Sequence, residues 1–165
     1  MLECCLQSSQ ELGEVPRNIG SILLKNAREL TSQPAFAERR HGQYRYWTWQ
    51  ELLSDAFRVT AFFQTQGLRP GDKIGFVTGN GYWRFVSELA CLSFGAVSVP
   101  IFPGYPAATV RELLKFADVQ FLLADSEALV SGLKGDCAFG AQLIGASEWP
   151  LSSVGESELR QIENI

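Results

Sequence analysis

Apolar residues recur at helical spacing from Ile19 to Leu30, at Ile19, Leu23, Ala27 and Leu30, which predicts a first helix. Two short β-like pieces follow, "AFAER" and "QYRYW". The intervening "RHGQ" reads as a hairpin turn, with Gly42 supplying the permissive backbone. Thr48 and Glu51 then form the capping-box pattern, in which hydroxyl and carboxylate each satisfy an orphan amide. Behind that cap, Trp49, Leu52, Leu53, Ala56, Val59 and Phe63 share one face of a second helix. Gly67 is placed to end it in the left-handed conformation, and Pro70-Gly71 to turn the chain onward.

From there the pattern alternates. Strands are predicted at Lys73–Val77, Ala96–Phe102 and Gln120–Ala124. Each precedes a helix, at Tyr82–Phe94, Ala107–Ala117 and Glu127–Leu133, and a weaker strand follows at Gln142–Ile144. Runs such as "AVSVPIF" are apolar on both faces, as buried parallel strands are. The expectation is an α/β fold: repeated βα units, a mainly parallel sheet flanked by helices, and a short N-terminal β-hairpin. Residues 1–17 carry little pattern and are expected to form a mobile arm. Residues 18–150 form the α/β subdomain, and the polar stretch 151–165 reads as a linker or a truncated element.

Composition agrees with a folded domain. The chain has 165 residues, 46% hydrophobic and 19% charged, and a chain of that length buries roughly 70% of its unfolded surface. The net charge of −4, with no basic run longer than Arg39-Arg40, speaks against nucleic acid as a partner. The N-terminal "MLECCLQSSQELGEV" lacks the basic start and apolar core of a signal peptide. No segment reaches the ~20 apolar residues that span a bilayer. A cytoplasmic location is expected. Cys4, Cys5, Cys91 and Cys137 have no metal or disulfide spacing, and His41 is the one histidine, so free thiols and no metal site are expected.

The candidate chemistry centres on "GFVTGNGYWRF", a glycine loop between a predicted strand and helix. Such loops often cradle phosphate. A dinucleotide fingerprint needs a third glycine where this chain has Arg84, and an acidic residue after the second strand, which ends "PIFPGYP". A P-loop needs a Lys-Ser or Lys-Thr pair, and none occurs. The loop therefore reads as a tight turn, with Asn80 capping the helix. His41 falls in a surface turn, and no G-x-S-x-G elbow supplies a serine for it. Asp125 and Ser126 sit at a strand's carboxyl end, where α/β proteins place sites, though helix capping is their expected role. Arg84 and Glu88 read as a structural i,i+4 ion pair. Trp83, Phe85, Phe102 and Tyr105 either line an apolar pocket or belong to the core. The candidate acyl-pocket or loop residues are Asn80, Trp83, Phe102 and Tyr105. No catalytic, cofactor-binding or metal-ligating residue is assigned.

Three stretches in order resemble the N-terminal part of AMP-forming acyl-activating (adenylate-forming) enzymes, most of all long-chain fatty-acid–CoA ligases. They are "YWTWQEL", "GLRPGDKIGF" and "ELACLSFGAVSVPIFPGYPAATVRELL". The similarity runs from about Ile19 to Asp125. Trp83 and Arg84 depart from the family's usual Glu-Trp, Phe102 from its usual Tyr, and Gly104 from a Thr or similar small residue. "ACLSFGA" also resembles fatty-acyl-AMP ligases. The resemblance implies an intact enzyme that joins a fatty acid to CoA through an acyl-adenylate, using ATP, Mg and CoA. The family's phosphate loop, adenine motif, ribose aspartate and catalytic lysine find no match in these residues. The chain alone is thus expected to hold no cofactor and to be catalytically silent. Its expected partners are the remainder of the enzyme, in cis or in trans, the fatty acid in the intact enzyme, and a second copy in a homodimer. The intact enzyme could also lie peripheral to a membrane. The rival readings are a stand-alone module binding an acyl chain or a partner, a small nucleotide-binding α/β protein, and a dimerisation domain.

Overall fold

The computed structural model describes residues 13, 15–134 and 142–145. Most of the expected arm, the whole polar stretch 151–165, and Cys4, Cys5 and Cys137 lie outside the described residues. Helix α1 spans Ile19–Glu29. Strands β1 (Pro34–Arg40) and β2 (Gln43–Thr48) form an antiparallel hairpin. Its turn places His41 at φ 50 and Gly42 at φ 83, the pair of positive φ values that matches the twist of the flanking strands. Helix α2 covers Trp49–Thr65. Then come β3 (Lys73–Val77), α3 (Tyr82–Phe94), β4 (Val97–Pro100), α4 (Ala107–Ala117), β5 (Phe121–Ala124), α5 (Glu127–Lys134) and β6 (Gln142–Gly145). The second sheet has the order β4-β3-β5-β6, and every pairing in it is parallel.

The capping box at α2 forms as the sequence predicts. The Thr48 amide donates to Glu51 Oε2 at 2.8 Å, and the Glu51 amide donates to Thr48 Oγ1 at 3.2 Å. The Thr48 amide bond first, and then the Thr48 hydroxyl, which also donates to Glu51 Oε2 at 2.9 Å, hold the Glu51 carboxyl below its ordinary pKa. Gly67 ends the helix region at φ 82.

The predicted second strand is longer than β4. Ala96 belongs to the helix end, because its amide donates back to the Cys91 carbonyl at 3.0 Å while Gly95 stands at φ 85. That closes α3 as a glycine-terminated helix, and pairing starts only at Val97.

Strand β3 divides the core. Ile74 and Phe76 face α1, α2 and α3, together with Phe121 and Leu123 of β5. Val77, with Leu122 and Ala124, faces the opposite cluster, where Val110 and Leu114 of α4 pack. Gly75 points the same way as Val77, and it sets how near α4 lies. A Cβ there would fall 2.7 Å from Leu114 Cδ2, 3.1 Å from Leu122 Cδ1 and 3.2 Å from Val119 Cγ1. All three neighbours are buried, so none can swing into solvent. Gly75→Val should lower stability in urea unfolding by about 1–3 kcal/mol through overpacking. Gly79→Ala is the control, because its nearest neighbour would stand at an ordinary 3.6 Å; its midpoint should shift by less than about 1 kcal/mol equivalent.

Candidate functional site

The glycine loop joins the carboxyl end of β3 to α3 and sits beside the ends of β4 and β5. Two amides at this loop are engaged by the chain's own carboxylates. Asp125 Oδ2, just past β5, accepts from the Gly79 amide at 2.7 Å. Glu38 Oε2, on the hairpin, accepts from the Tyr82 amide at 3.3 Å, the first amide of α3. A helix N-terminus favours negative charge, and Glu38 supplies it from within the fold. A phosphate brought to this loop would meet carboxylates at both of those amides, so the residues present do not fit a nucleotide phosphate.

Two capping expectations need correction. The cap position of α3 is Gly81, with no side-chain cap bond, and Asn80 stands exposed beside it. The first amide of the helix is satisfied by a residue distant in sequence, so the local asparagine is not needed. Of the pair at the end of β5, Ser126 does cap, its Oγ accepting from the Leu129 amide at 3.3 Å. Asp125 turns instead to the glycine loop.

Behind the loop, Tyr82 is fully buried. Its ring stacks on Trp47 with centroids 3.9 Å apart and planes 12° apart, and Phe36 and Trp83 pack around it. Its hydroxyl donates to Asp55 Oδ2 on α2 at 2.8 Å. Burial first, and then the Asp55 carboxylate, push the phenol well above its ordinary pKa. Arg84 pairs with Glu88 at 3.1 Å, the i,i+4 pair expected, and its guanidinium lies 4.4 Å from the Phe76 ring centre. Ser98 Oγ on β4 donates to Glu88 at 2.7 Å, which ties α3 to the sheet edge. Cys91 is buried and free; burial, with a smaller push from Glu88, raises its thiol to about 12.

The aromatic candidates separate into two places. Trp83 is half-buried on α3 against the main core, and the neighbouring Phe85 stacks on Phe36 at 5.0 Å. Phe102 and Tyr105 lie in the loop after β4, 64% and 46% exposed, edge to face at 5.5 Å. His41 is at the hairpin tip, as its turn predicts. The residues that organise the site, Glu38 and Asp55, escaped the sequence reading. Their contacts to Tyr82 cross 44 and 27 residues, and no local pattern marks them.

Comparison with known proteins places the chain. The family model described as "AMP-binding enzyme" matches residues 23–156, and the chain belongs to that family. Among solved structures, it resembles the N-terminal domain of FACL13 from Mycobacterium tuberculosis, at 18% identity and a TM-score of 0.76, over 86% of this chain and 38% of that one. It also resembles the N-terminal subdomain of Klebsiella oxytoca NpsA, at 17% identity and a TM-score of 0.71, over 84% of this chain and 32% of that one. These likenesses show the fold of the N-terminal subdomain of adenylate-forming enzymes. Among curated relatives, nonribosomal peptide synthetase lenA of Aspergillus lentulus is 30% identical over 120 residues, 72% of this chain and 3% of the relative. Nonribosomal peptide synthetase 9 of Gibberella zeae is 31% identical over 110 residues, 64% of this chain and 12% of the relative. The chain thus spans a small part of the length of these relatives.

Tyr82 and Cys91 are both held neutral by the fold, so ionising either one favours the unfolded chain. Their stabilising contributions are complete below the ordinary values of 9.0 for the thiol and 10.0 for the phenol, and fade as pH rises above them. The urea midpoint should therefore begin to fall near pH 9. Cys91→Ala should make the first part of that fall shallower, and an unchanged profile would contradict the assignment.

Proposed function

We propose that this chain serves as the N-terminal subdomain of an enzyme that activates a long-chain fatty acid as its acyl-adenylate and passes the acyl group to CoA. The whole reaction would consume fatty acid, ATP and CoA and release acyl-CoA, AMP and pyrophosphate. Family membership supports the adenylating part of this reading. The exposed Phe102–Tyr105 pair carries the fatty-acid part. It stands at the carboxyl end of β4, where α/β proteins bind ligands. Two large rings there offer apolar surface suited to an alkyl chain. Asn80 borders the same edge of the sheet, whereas Trp83 packs into the main core, so the proposed wall residues are Asn80, Phe102 and Tyr105. A fatty-acyl-AMP ligase, which stops at the adenylate, would use the same wall.

The role of these 165 residues is scaffolding. Adenylation needs cationic groups around a reacting phosphate, and the glycine loop is closed by carboxylates instead. A second reading has its own support. The curated relatives named above are peptide synthetases, and an amino-acid substrate would fit that kinship.

ATP–pyrophosphate exchange separates the two. The 165-residue chain alone should give none. With the downstream portion of a related enzyme added, exchange should appear and should prefer a long-chain fatty acid to amino acids. Exchange by the chain alone would overturn the scaffold reading, and preference for an amino acid would transfer the substrate to the second reading.

A further inference from the structure

Gly104 lies in the short turn between β4 and α4, where the Tyr105 amide donates to the Phe102 carbonyl at 3.3 Å. Its backbone stands outside the left-handed region that favours glycine, so the main chain would accept another residue there. The space would not. A Cβ on Gly104 would overlap Phe102 Cε1 and stand 3.0 Å from Cζ and 3.2 Å from Cδ1. The three nearest atoms thus form one edge of a single ring, which lies back over the glycine.

Gly75 is crowded in a different way. Its neighbours Leu114, Leu122 and Val119 are buried, whereas the Phe102 side chain is 64% exposed. An exposed side chain can yield by turning about its own bonds, between staggered positions. A side chain at position 104 therefore moves the ring and leaves the fold as it is. The turn lies on one side of the ring, and Tyr105 meets it edge to face at 5.5 Å. The open direction is outward, in front of the carboxyl edge of the sheet.

We propose that Gly104 sets the length of substrate accepted at the proposed acyl wall, by letting the Phe102 ring lie back against the turn. The inference rests on the fatty-acid reading above. With no side chain at 104, the ring leaves the space before it open to an extended alkyl chain. Any side chain there pushes the ring into that space and breaks its pairing with Tyr105. Gly104 touches no substrate; it is a positioning residue, and Phe102 is the group it positions.

Two measurements test it. In NMR spectra of the 165-residue chain, the Gly104 Hα protons should show NOEs to the Phe102 ring, and that ring should show NOEs to Tyr105. Gly104→Ala should lose the Phe102–Tyr105 NOEs. Its melting temperature should stay nearly unchanged, because Phe102 belongs to neither core cluster. With the downstream portion of a related enzyme added, ATP–pyrophosphate exchange is compared for hexadecanoic and decanoic acids. Gly104→Ala should lower the ratio of the first to the second by about tenfold or more. In a Phe102→Ala background the same substitution should leave the ratio unchanged, because no ring remains to displace. A ratio that Gly104→Ala leaves unchanged or raises, in an enzyme that activates fatty acids, would overturn this role and leave the reaction standing. An equal loss with and without the Phe102 ring would do the same. Preference for amino acids, or no exchange with either fatty acid, would overturn the fatty-acid reading and this role with it. Absence of the Phe102–Gly104 NOEs in the unaltered chain would overturn the role before any substrate is added.

Discussion

The Gly79 amide donates to a carboxylate 46 residues further along the chain, and the Tyr82 amide donates to one 44 residues earlier. These two bonds meet at one short loop. Asp125 fixes the end of β5 to the end of β3, and Glu38 fixes the hairpin to the start of α3. A loop of this shape ordinarily leaves amides free for an anion. Here the anions belong to the protein, so the loop acts as a junction between the hairpin, α3 and the sheet. The fully buried Tyr82 completes the junction from below, stacked on Trp47 of the hairpin and bonded to Asp55 of α2.

The junction is firm because the sheet behind it is packed on both faces. Strand β3 sends Ile74 and Phe76 to one apolar cluster and Val77 to the other, and the missing side chain at Gly75 lets α4 lie close. Burial on both faces explains why these strands read as unbroken apolar runs. It also explains where the surface becomes unusual. The edge strand β4 has no partner on one side among the described residues, and the flank of α4 beside it keeps Leu113 and Phe116 in water.

Much of this was legible in the sequence. The bounds of β3, α3 and α4, the Thr48–Glu51 cap and the hairpin turn all follow from contacts within a few residues. Their signals lie in the stretch that forms them. Periodicity overran β4, because "AVSVPIF" is apolar throughout and only the helix-end bond at Ala96 fixes where pairing starts. The site was less legible. Asn80 looked like the cap because it is the polar residue nearest the helix. The carboxylate that satisfies the helix instead comes from the hairpin, and nothing near Glu38 announces it. The aromatic candidates share a composition but not a location. Trp83 joins the core, while Phe102 and Tyr105 remain on the carboxyl edge.

The central claim is that the Gly79 and Tyr82 amides are satisfied from within. Amide chemical shifts of Gly79 and Tyr82, followed in the isotopically labelled chain during titration with ATP or pyrophosphate, test it most directly. Both resonances should stay where they are throughout the titration. A saturable shift at Gly79 would mean that phosphate displaces Asp125, and the loop would then be a nucleotide site.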